Sequence, residues 1–427
     1  MSNKQIYNFA KKILRFERSL SSIGNLKTLK EIKKINSKLI IKNFKSGSKV
    51  FDWIVPKEWH VKEAYILTPT NKKICNFKDN NLNLVGYSTK INRYMSLKNL
   101  EKHLYSLKQQ PNAIPYVTSY YKKSWGFCIK EKLRKKLKPG KYKVIINSKF
   151  KNGNVPYGEL LIKGKSEKEI LLSTYICHPE MANNESSGIS LLTYISKWIR
   201  KKKRNFTYRI IFIPETIGAI AYINKNLDIL KKNVIGGYVV TCVGDEQKFS
   251  YIPSRYGKTL SDYVAKLVLK KNTKSFKKYS WLDRGSDERQ FCSPGVDLPI
   301  CSITRSKYGA YKEYHTSLDK LGNVVTSKGL NESYKMYTKI LTYIESNYIY
   351  DSFFPKYVHL CEPHLSVRKL YPTLSIKNKN TFTRNIINIL SYCDGNNSIE
   401  GISLLTKNSL KYTKNILSLL KRKKLIE

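Results

Sequence analysis

The stretch EILLSTYICHP (169–179) is an unbroken apolar run that ends in a histidine and a proline. It passes directly into EMANNESSGISLLTYISKWIR (180–200), where Ile189, Leu191, Leu192, Ile195 and Trp198 recur at helical spacing. A strand buried on both faces reads as a continuous hydrophobic run, and such strands belong to sheets covered by helices on both sides. The unit then repeats. A basic turn, KKKR (201–204), leads to YRIIFIPE (208–215), a helix over about 217–232 and the strand GGYVVTCVG (236–244). This alternation predicts an α/β layer, which resumes after about residue 258 and closes with a helix around 329–347.

On either side the texture differs. Residues 1 to about 45 read as helical, with Ile6, Phe9 and Ile13, then Leu29, Ile32 and Ile35, near helical spacing. Between Val50 and about Ile162, short runs such as EAYIL, IPYVTSYY and YKVII alternate with Pro, Gly, Asn and Lys clusters, the pattern of strands and hairpins. After the aromatic junction YIYDSFFPKY (348–357) comes a basic connector to about residue 378. Three short helical segments, TRNIINILSYCDG, SIEGISLLT and NSLKYTKNILSLLKRKKLIE, then predict a winged-helix or helix-turn-helix module.

At 427 residues, 41% hydrophobic and 12% aromatic, the chain has material for several cores and is not a disordered polymer. Its eight cysteines form no CxxC pair, which argues for reduced thiols and a cytoplasmic location. Neither a signal peptide nor a membrane span is expected, because charges interrupt every apolar run. The net charge of +48 would promote adhesion to polyanions. Lysine greatly outnumbers arginine, however, and rises together with Asn, Ile and Tyr, as in AT-rich coding. A nucleic-acid partner is left open and not favoured; a homo-oligomer is left open.

In open α/β sheets, ligands gather at the carboxyl ends of strands. His178 and Glu215 fall at two such ends; Asp287 and Glu288 lie in DRGSDERQF (283–291), and His315 and Asp319 in EYHTSLD (313–319). Neutral imidazole is a ready zinc ligand, and a nearby glutamate can act as general base. Cys177 is not expected to meet His178, since adjacent strand residues face opposite ways. Phosphate-binding glycine loops are absent, so nucleotide chemistry has no support.

The segment HPEMANNESSGIS (178–190) resembles the metal-binding turn of zinc-dependent exopeptidases, with PETIGAIAY (214–222) and EYHTSLD resembling two further segments of that group. FDWIVPKEWHV (51–61), AIPYVTSYYKKSWGFC (113–128), GSDERQFCSPGVDLP (285–299) and LCEPHLSVRKLYP (360–372) are similar to one subfamily: bacterial aminopeptidase-like proteins with a winged-helix tail, of the kind associated with polysaccharide biosynthesis. The resemblance implies a zinc-exopeptidase-like mixed sheet flanked by helices, built from 1–50 and 160–355. It further implies an inserted β-rich domain at 51–159 and a winged helix at 356–427.

The same resemblance frames the site. Asn184 stands where the active exopeptidases carry a metal-bridging aspartate, Thr216 where they carry a second glutamate, and Thr241 near a third-strand aspartate. One zinc ion is therefore expected rather than two. Its ligands would be His178 and His315 with a carboxylate from Glu185 or Asp287; Glu215 would be the general base. Asn184 would hydrogen-bond a tetrahedral intermediate or a ligand, and Asp319 would orient His315. Arg284 and Arg289 would clamp a substrate carboxylate or phosphate, or else pair with Asp283, Asp287 or Glu288. The implied activity is hydrolysis of a small amide or acylamino compound; the alternative is a degenerate, ligand-binding regulator acting through its winged helix.

Overall fold

The computed structural model describes residues 4–347, 355–359, 363–370, 381–395 and 397–427. Most of the connector expected before residue 378, and part of the aromatic junction, lie outside them. The helices are α1 (Lys4–Ile13), α2 (Ile23–Ile35), α3 (Ser187–Ile199), α4 (Ile217–Asn233), α5 (Leu260–Asn272) and α6 (Ser327–Asn347). The tail adds α7 (Thr381–Leu390), α8 (Ile399–Leu405) and α9 (Leu410–Arg422). Among the described residues, no helix is long and apolar enough to cross a membrane.

The principal strands are β1 (Ile40–Lys45), β2 (Glu58–Leu67), β3 (Lys73–Ile74), β4 (Ile91–Ser96), β5 (Lys141–Lys151), β6 (Asn154–Ile162), β7 (Glu169–Tyr175), β8 (Thr207–Ile213), β9 (Val234–Val239), β10 (Ser250–Ile252), β11 (Lys277–Lys278) and β12 (Ile300–Thr304). Eight of them form one mixed sheet in the order β1-β6-β8-β7-β9-β12-β10-β11. Its centre, β8, β7, β9 and β12, is parallel, and every residue of β7 and β8 is buried. β1 pairs antiparallel with β6, so the first 45 residues are not wholly helical: the chain closes the sheet's edge before entering the insert.

Alternate residues of the central strands face two cores. Ile170, Leu172, Ile210 and Phe212 pack with α1, α2, α3, α5 and α6. Leu171, Tyr175, Ile211 and Ile213 face the other way, toward α4 and a smaller antiparallel sheet ordered β3-β2-β5-β4. Trp59, Ala64, Ile66, Val144 and Ile146 of that small sheet share this second core. The β-rich segment is thus welded to the large sheet by continuous apolar burial.

The winged-helix tail has its own core, centred on Ile386, Ile389, Ile402, Leu417 and Leu420. It approaches the α/β body where α8 meets α5: a Cβ at Gly401 would stand 2.9 Å from the Tyr263 hydroxyl.

Candidate functional site

β7 ends at Tyr175, and residues 176–178 leave it as irregular chain. Strict alternation no longer applies there, which corrects the expectation for Cys177: its Sγ lies 3.5 Å from Nδ1 of His178. Sγ also accepts the Glu215 backbone N–H, and burial holds the thiol well above its ordinary pKa, so Cys177 is a packed neutral group and no nucleophile.

His178 is held from behind by Glu185. Oε2 of Glu185 accepts from both the backbone nitrogen and Nδ1 of His178, each at 2.8 Å. Its Oε1 accepts from Nε of the fully buried Arg18 at 3.1 Å. A carboxylate on Nδ1 fixes the proton there and leaves Nε2 as the outward lone pair. That Nε2 sits 3.6 Å from Oε2 of Glu215. Burial lowers the His178 pKa, but the hydrogen bond and charge of Glu185, with Glu215, outweigh it and the net shift is upward.

Donor atoms of Cys177, His178 and Glu185 cluster tightly enough to enclose an ion. Both oxygens of Glu185 are already committed, however, one of them to a buried guanidinium. In this arrangement Glu185 bonds His178 from behind and Arg18 from its other oxygen.

His315 comes from the far side, its ring 5.4 Å from that of His178. Its Nε2 is buried and has no hydrogen-bond partner. Burial, reinforced by His178, drives its pKa down to about 3, so it is a neutral imidazole. His315 holds a left-handed backbone (φ 53) within a loop pinned by the insert. Tyr116 donates its N–H to the His315 carbonyl (2.8 Å), Ser317 donates to the Ile114 carbonyl (2.9 Å), and Pro115 bridges Thr316. The Tyr116 ring lies 5.1 Å from each of the two imidazoles. In sequence, IPYVTSYY reads as strand texture and as part of a segment similar to the subfamily, and nothing in its pattern ties it to residue 315.

Asp287 and Glu215 complete the cluster. Asp287 is fully buried; Oδ1 accepts from the Thr216 backbone at 2.8 Å, and Oδ2 has no partner. Burial and the proximity of Glu215 hold its carboxyl well above the usual range. Glu215 accepts from the Ser286 hydroxyl at 3.0 Å, and burial raises it too, against the pull of His178. Thr216 is strained at φ 64, held by Asp287 and by Arg289 Nη2, 2.8 Å from its Oγ1. Glu288 accepts from Gly285, Ser286, Ser302 and Tyr308, and so shapes the turn that presents Asp287.

Three expected roles change. Asp319 does not bond His315: its oxygens accept from the backbone of Asn183 (2.7 Å) and Asn184 (2.9 Å), capping the turn into α3, and from Tyr311. Arg284 is exposed, stacked 4.8 Å over Trp281, and away from the acidic pair. Asn184 spends its carbonyl oxygen on the Tyr175 hydroxyl (2.9 Å) and turns Nδ2 toward Met181 Sδ. With Thr241, which bonds both Tyr175 and the Asn184 carbonyl, it closes a neutral network. Asp245, four residues after Thr241, accepts from Asn183, Gln247 and Ser306. The two imidazoles face one another, and the Glu215 carboxylate lies beside His178; such donors are of the kind that hold zinc.

Comparison with known proteins agrees with this architecture. Residues 7–347 match the model of a domain of unknown function, DUF4910, and residues 354–427 match a winged helix-turn-helix. A Clostridium acetobutylicum protein, provisionally named for polysaccharide biosynthesis with an aminopeptidase-like domain, is 39% identical over 93% of this chain and 90% of its own. The crystal structure of a provisionally assigned peptidase from the same organism superposes over 100% of this chain and 96% of its own, with TM-score 0.80 and 36% identity. A zinc aminopeptidase from Bacillus subtilis shares the fold at TM-score 0.58 and 12% identity, covering 82% of this chain and 96% of its own.

Proposed function

Since the chain belongs to the DUF4910 family of aminopeptidase-like proteins, we propose that it is a metal-dependent hydrolase of small amides, with one zinc ion held by His178, His315 and Asp287. The observation that supports the reading is the facing pair of imidazoles, with Nε2 of His315 buried and unpartnered and Nε2 of His178 3.6 Å from the Glu215 carboxylate. An unsatisfied buried polar atom is costly, and a cation beside the two rings would satisfy Nε2 of His315.

A bound zinc ion supplies Lewis-acid polarisation of the scissile carbonyl. The chain's own groups do the rest. Glu185 holds the Nδ1–H of His178, which sets the neutral tautomer and turns Nε2 toward the site. Glu215, oriented by Ser286 and raised toward a useful pKa by burial, takes the proton of the attacking water and returns it to the leaving amine. Arg289, exposed beside Glu215, suits a carboxylate or phosphate on the substrate. A small amino-acyl or acylamino-sugar amide fits this set, and the relative's name points to surface-polysaccharide biosynthesis.

One observation favours a second reading, a ligand-binding protein without turnover that works through its winged helix. The closed network of Asn184, Tyr175 and Thr241 fills the place where the resembling exopeptidases carry carboxylates. Elemental analysis of the full chain, beside His178→Ala and His315→Ala, combined with amino-acyl anilides and acetamido sugars as substrates, separates the two. The hydrolase predicts about one zinc per chain, lost in both variants, and Glu215→Gln that keeps zinc but not turnover. Turnover retained in Glu215→Gln rejects the mechanism; zinc without turnover on any substrate favours the binding protein.

A further inference from the structure

A two-residue turn, Phe51–Asp52, joins the antiparallel segments Lys49–Val50 and Trp53–Ile54 at the head of the insert. Such turns favour Gly, Asn or Asp, because their residues take positive φ and a bulky side chain strains there. Phe51 nevertheless holds φ 52 and is 47% exposed. Trp53 (40%), Ile54 (58%) and Tyr121 (54%) are exposed as well. They belong to one patch: the Trp53 and Tyr121 rings lie 5.8 Å apart, and the Tyr121 hydroxyl donates to the Ile54 carbonyl at 3.0 Å. Large apolar side chains left in water on a strained turn add nothing to the chain's own stability, which marks an interaction surface.

The rim of the patch indicates its partner. Lys49 stands directly across the hairpin from Ile54, Lys57 follows the hairpin, and Lys122 and Lys123 follow Tyr121; all four are exposed. None of these ammonium groups is paired with an acceptor among the described residues. Asp52 is the one acidic residue of segments 49–57 and 116–123. The surface is thus apolar at its centre and positive around it. Segment 116–123 also ties it to the imidazole cluster, since the Tyr120 and Tyr116 hydroxyls bond at 2.6 Å and the Tyr116 ring contacts both imidazoles.

We propose that this patch docks the protein on an anionic lipid surface. Phe51 and Ile54 enter the acyl boundary, Trp53 and Tyr121 sit at headgroup level, and the lysines meet lipid phosphates. Peripheral binding of this kind combines apolar insertion with basic charge and needs no spanning helix. Single-stranded nucleic acid matches the rings and the charge but leaves the aliphatic Ile54 unserved. The proposal goes beyond the hydrolase reading and stands without it.

Vesicles with about one phosphatidylglycerol in three lipids, the rest a phosphatidylcholine brominated in its acyl chains, test it with the full-length protein. A chain of net charge +48 adheres to any anionic surface, so the readout is quenching of tryptophan fluorescence by the bromines, which only an inserted ring meets. Quenching is expected when phosphatidylglycerol is present, and its loss in Trp53→Phe although the other tryptophans remain. Partitioning should fall at least about tenfold in Phe51→Ser with Ile54→Ser, and several-fold in Lys122→Ala with Lys123→Ala. Lys201→Ala with Lys202→Ala, an equal change of charge in the turn before β8, should weaken it less. Absence of quenching overturns the proposal, as does quenching unchanged in Trp53→Phe. So does natural partitioning in the Phe51 and Ile54 variant, or equal loss in the two lysine pairs. A Trp53 signal that answers oligothymidylate and not vesicles assigns the patch to nucleic acid and overturns it too. Turnover enters none of these readings, so failure here and failure of the hydrolase remain separate results.

Discussion

Oε2 of Glu185 lies 2.8 Å from the ring nitrogen Nδ1 of His178 and 2.8 Å from its backbone nitrogen, so one oxygen fixes both the imidazole and the chain that carries it. Arg18 secures the other oxygen and donates as well to the His178 carbonyl and the Ser186 hydroxyl. The first residues of the chain thereby reach into the site through a side chain that is fully buried.

Glu185→Gln should keep the shape but weaken the hold on Nδ1. Loss of such an orienting carboxylate costs about 10–100-fold in metal affinity. Competition with a chelating dye measures it, and the same zinc affinity in the variant would show that Glu185 only supports the fold. Glu185→Ala is a different experiment, since it strands the Arg18 charge and should cost about 3–5 kcal/mol in unfolding free energy.

Tyr116 is the insert's contribution to the site. Its backbone holds the His315 loop and its ring touches both imidazoles. Tyr116→Phe keeps the ring and should leave zinc affinity within about twofold. Tyr116→Ala opens space beside two rings and should lower affinity and kcat together, at a stability cost of about 3–5 kcal/mol. If Tyr116→Ala bound zinc as the natural chain does, the positioning role would be lost.

Asp319 makes its contribution through the backbone. Asp319→Ala removes the acceptor for two N–H groups at the start of the turn into α3, and a cap is worth about 1 kcal/mol. A fall in Tm with zinc affinity per folded molecule unchanged is the expected result. A variant of full stability and weakened zinc binding would restore the direct link to His315.

Local pattern carried the fold a long way. β7 and β8 are legible because burial on both faces removes every polar position but a few, of which Glu169 and Arg209 pair across the two strands. His178 and Glu215 were legible because both follow the ends of neighbouring parallel strands; His315 lies in a loop beyond the last strand, and the resemblance of EYHTSLD pointed to it. Asp319 misled because proximity to His315 in sequence says nothing of direction; its side chain turns toward the orphan N–H groups of residues 183 and 184, which no periodicity reveals. Tyr116 was invisible as a site residue because its contacts span about 200 positions of sequence and depend on how the insert folds back. The Cys177–His178 contact was missed because the alternation rule was applied beyond the last residue of the strand.

The buried charges on the central strands give the last prediction. Arg209 of β8 donates to Glu169 of β7 (2.8 Å) and to Glu159 of β6 (2.9 Å), while Lys42 and Tyr222 also bond Glu159. Burial pushes the Glu159 carboxyl up, but these hydrogen bonds and the charges of Lys42 and Arg209 bring it below its ordinary value. A carboxylate lowered on folding adds stability above its unfolded pKa, about 4.3, and that stability drains as pH falls through the folded value. Unfolding free energy should therefore drop on acidification below about pH 4. Arg209→Met leaves the buried Glu169 without its cation and Glu159 with Lys42 alone, and should cost about 3–5 kcal/mol at neutral pH. Stranded carboxylates are raised rather than lowered, so they protonate readily and the gap between variant and natural chain should narrow as pH falls. Denaturant titrations at several pH values measure that gap; a constant difference from neutral to acid pH would show that the triad contributes by packing and not by charge.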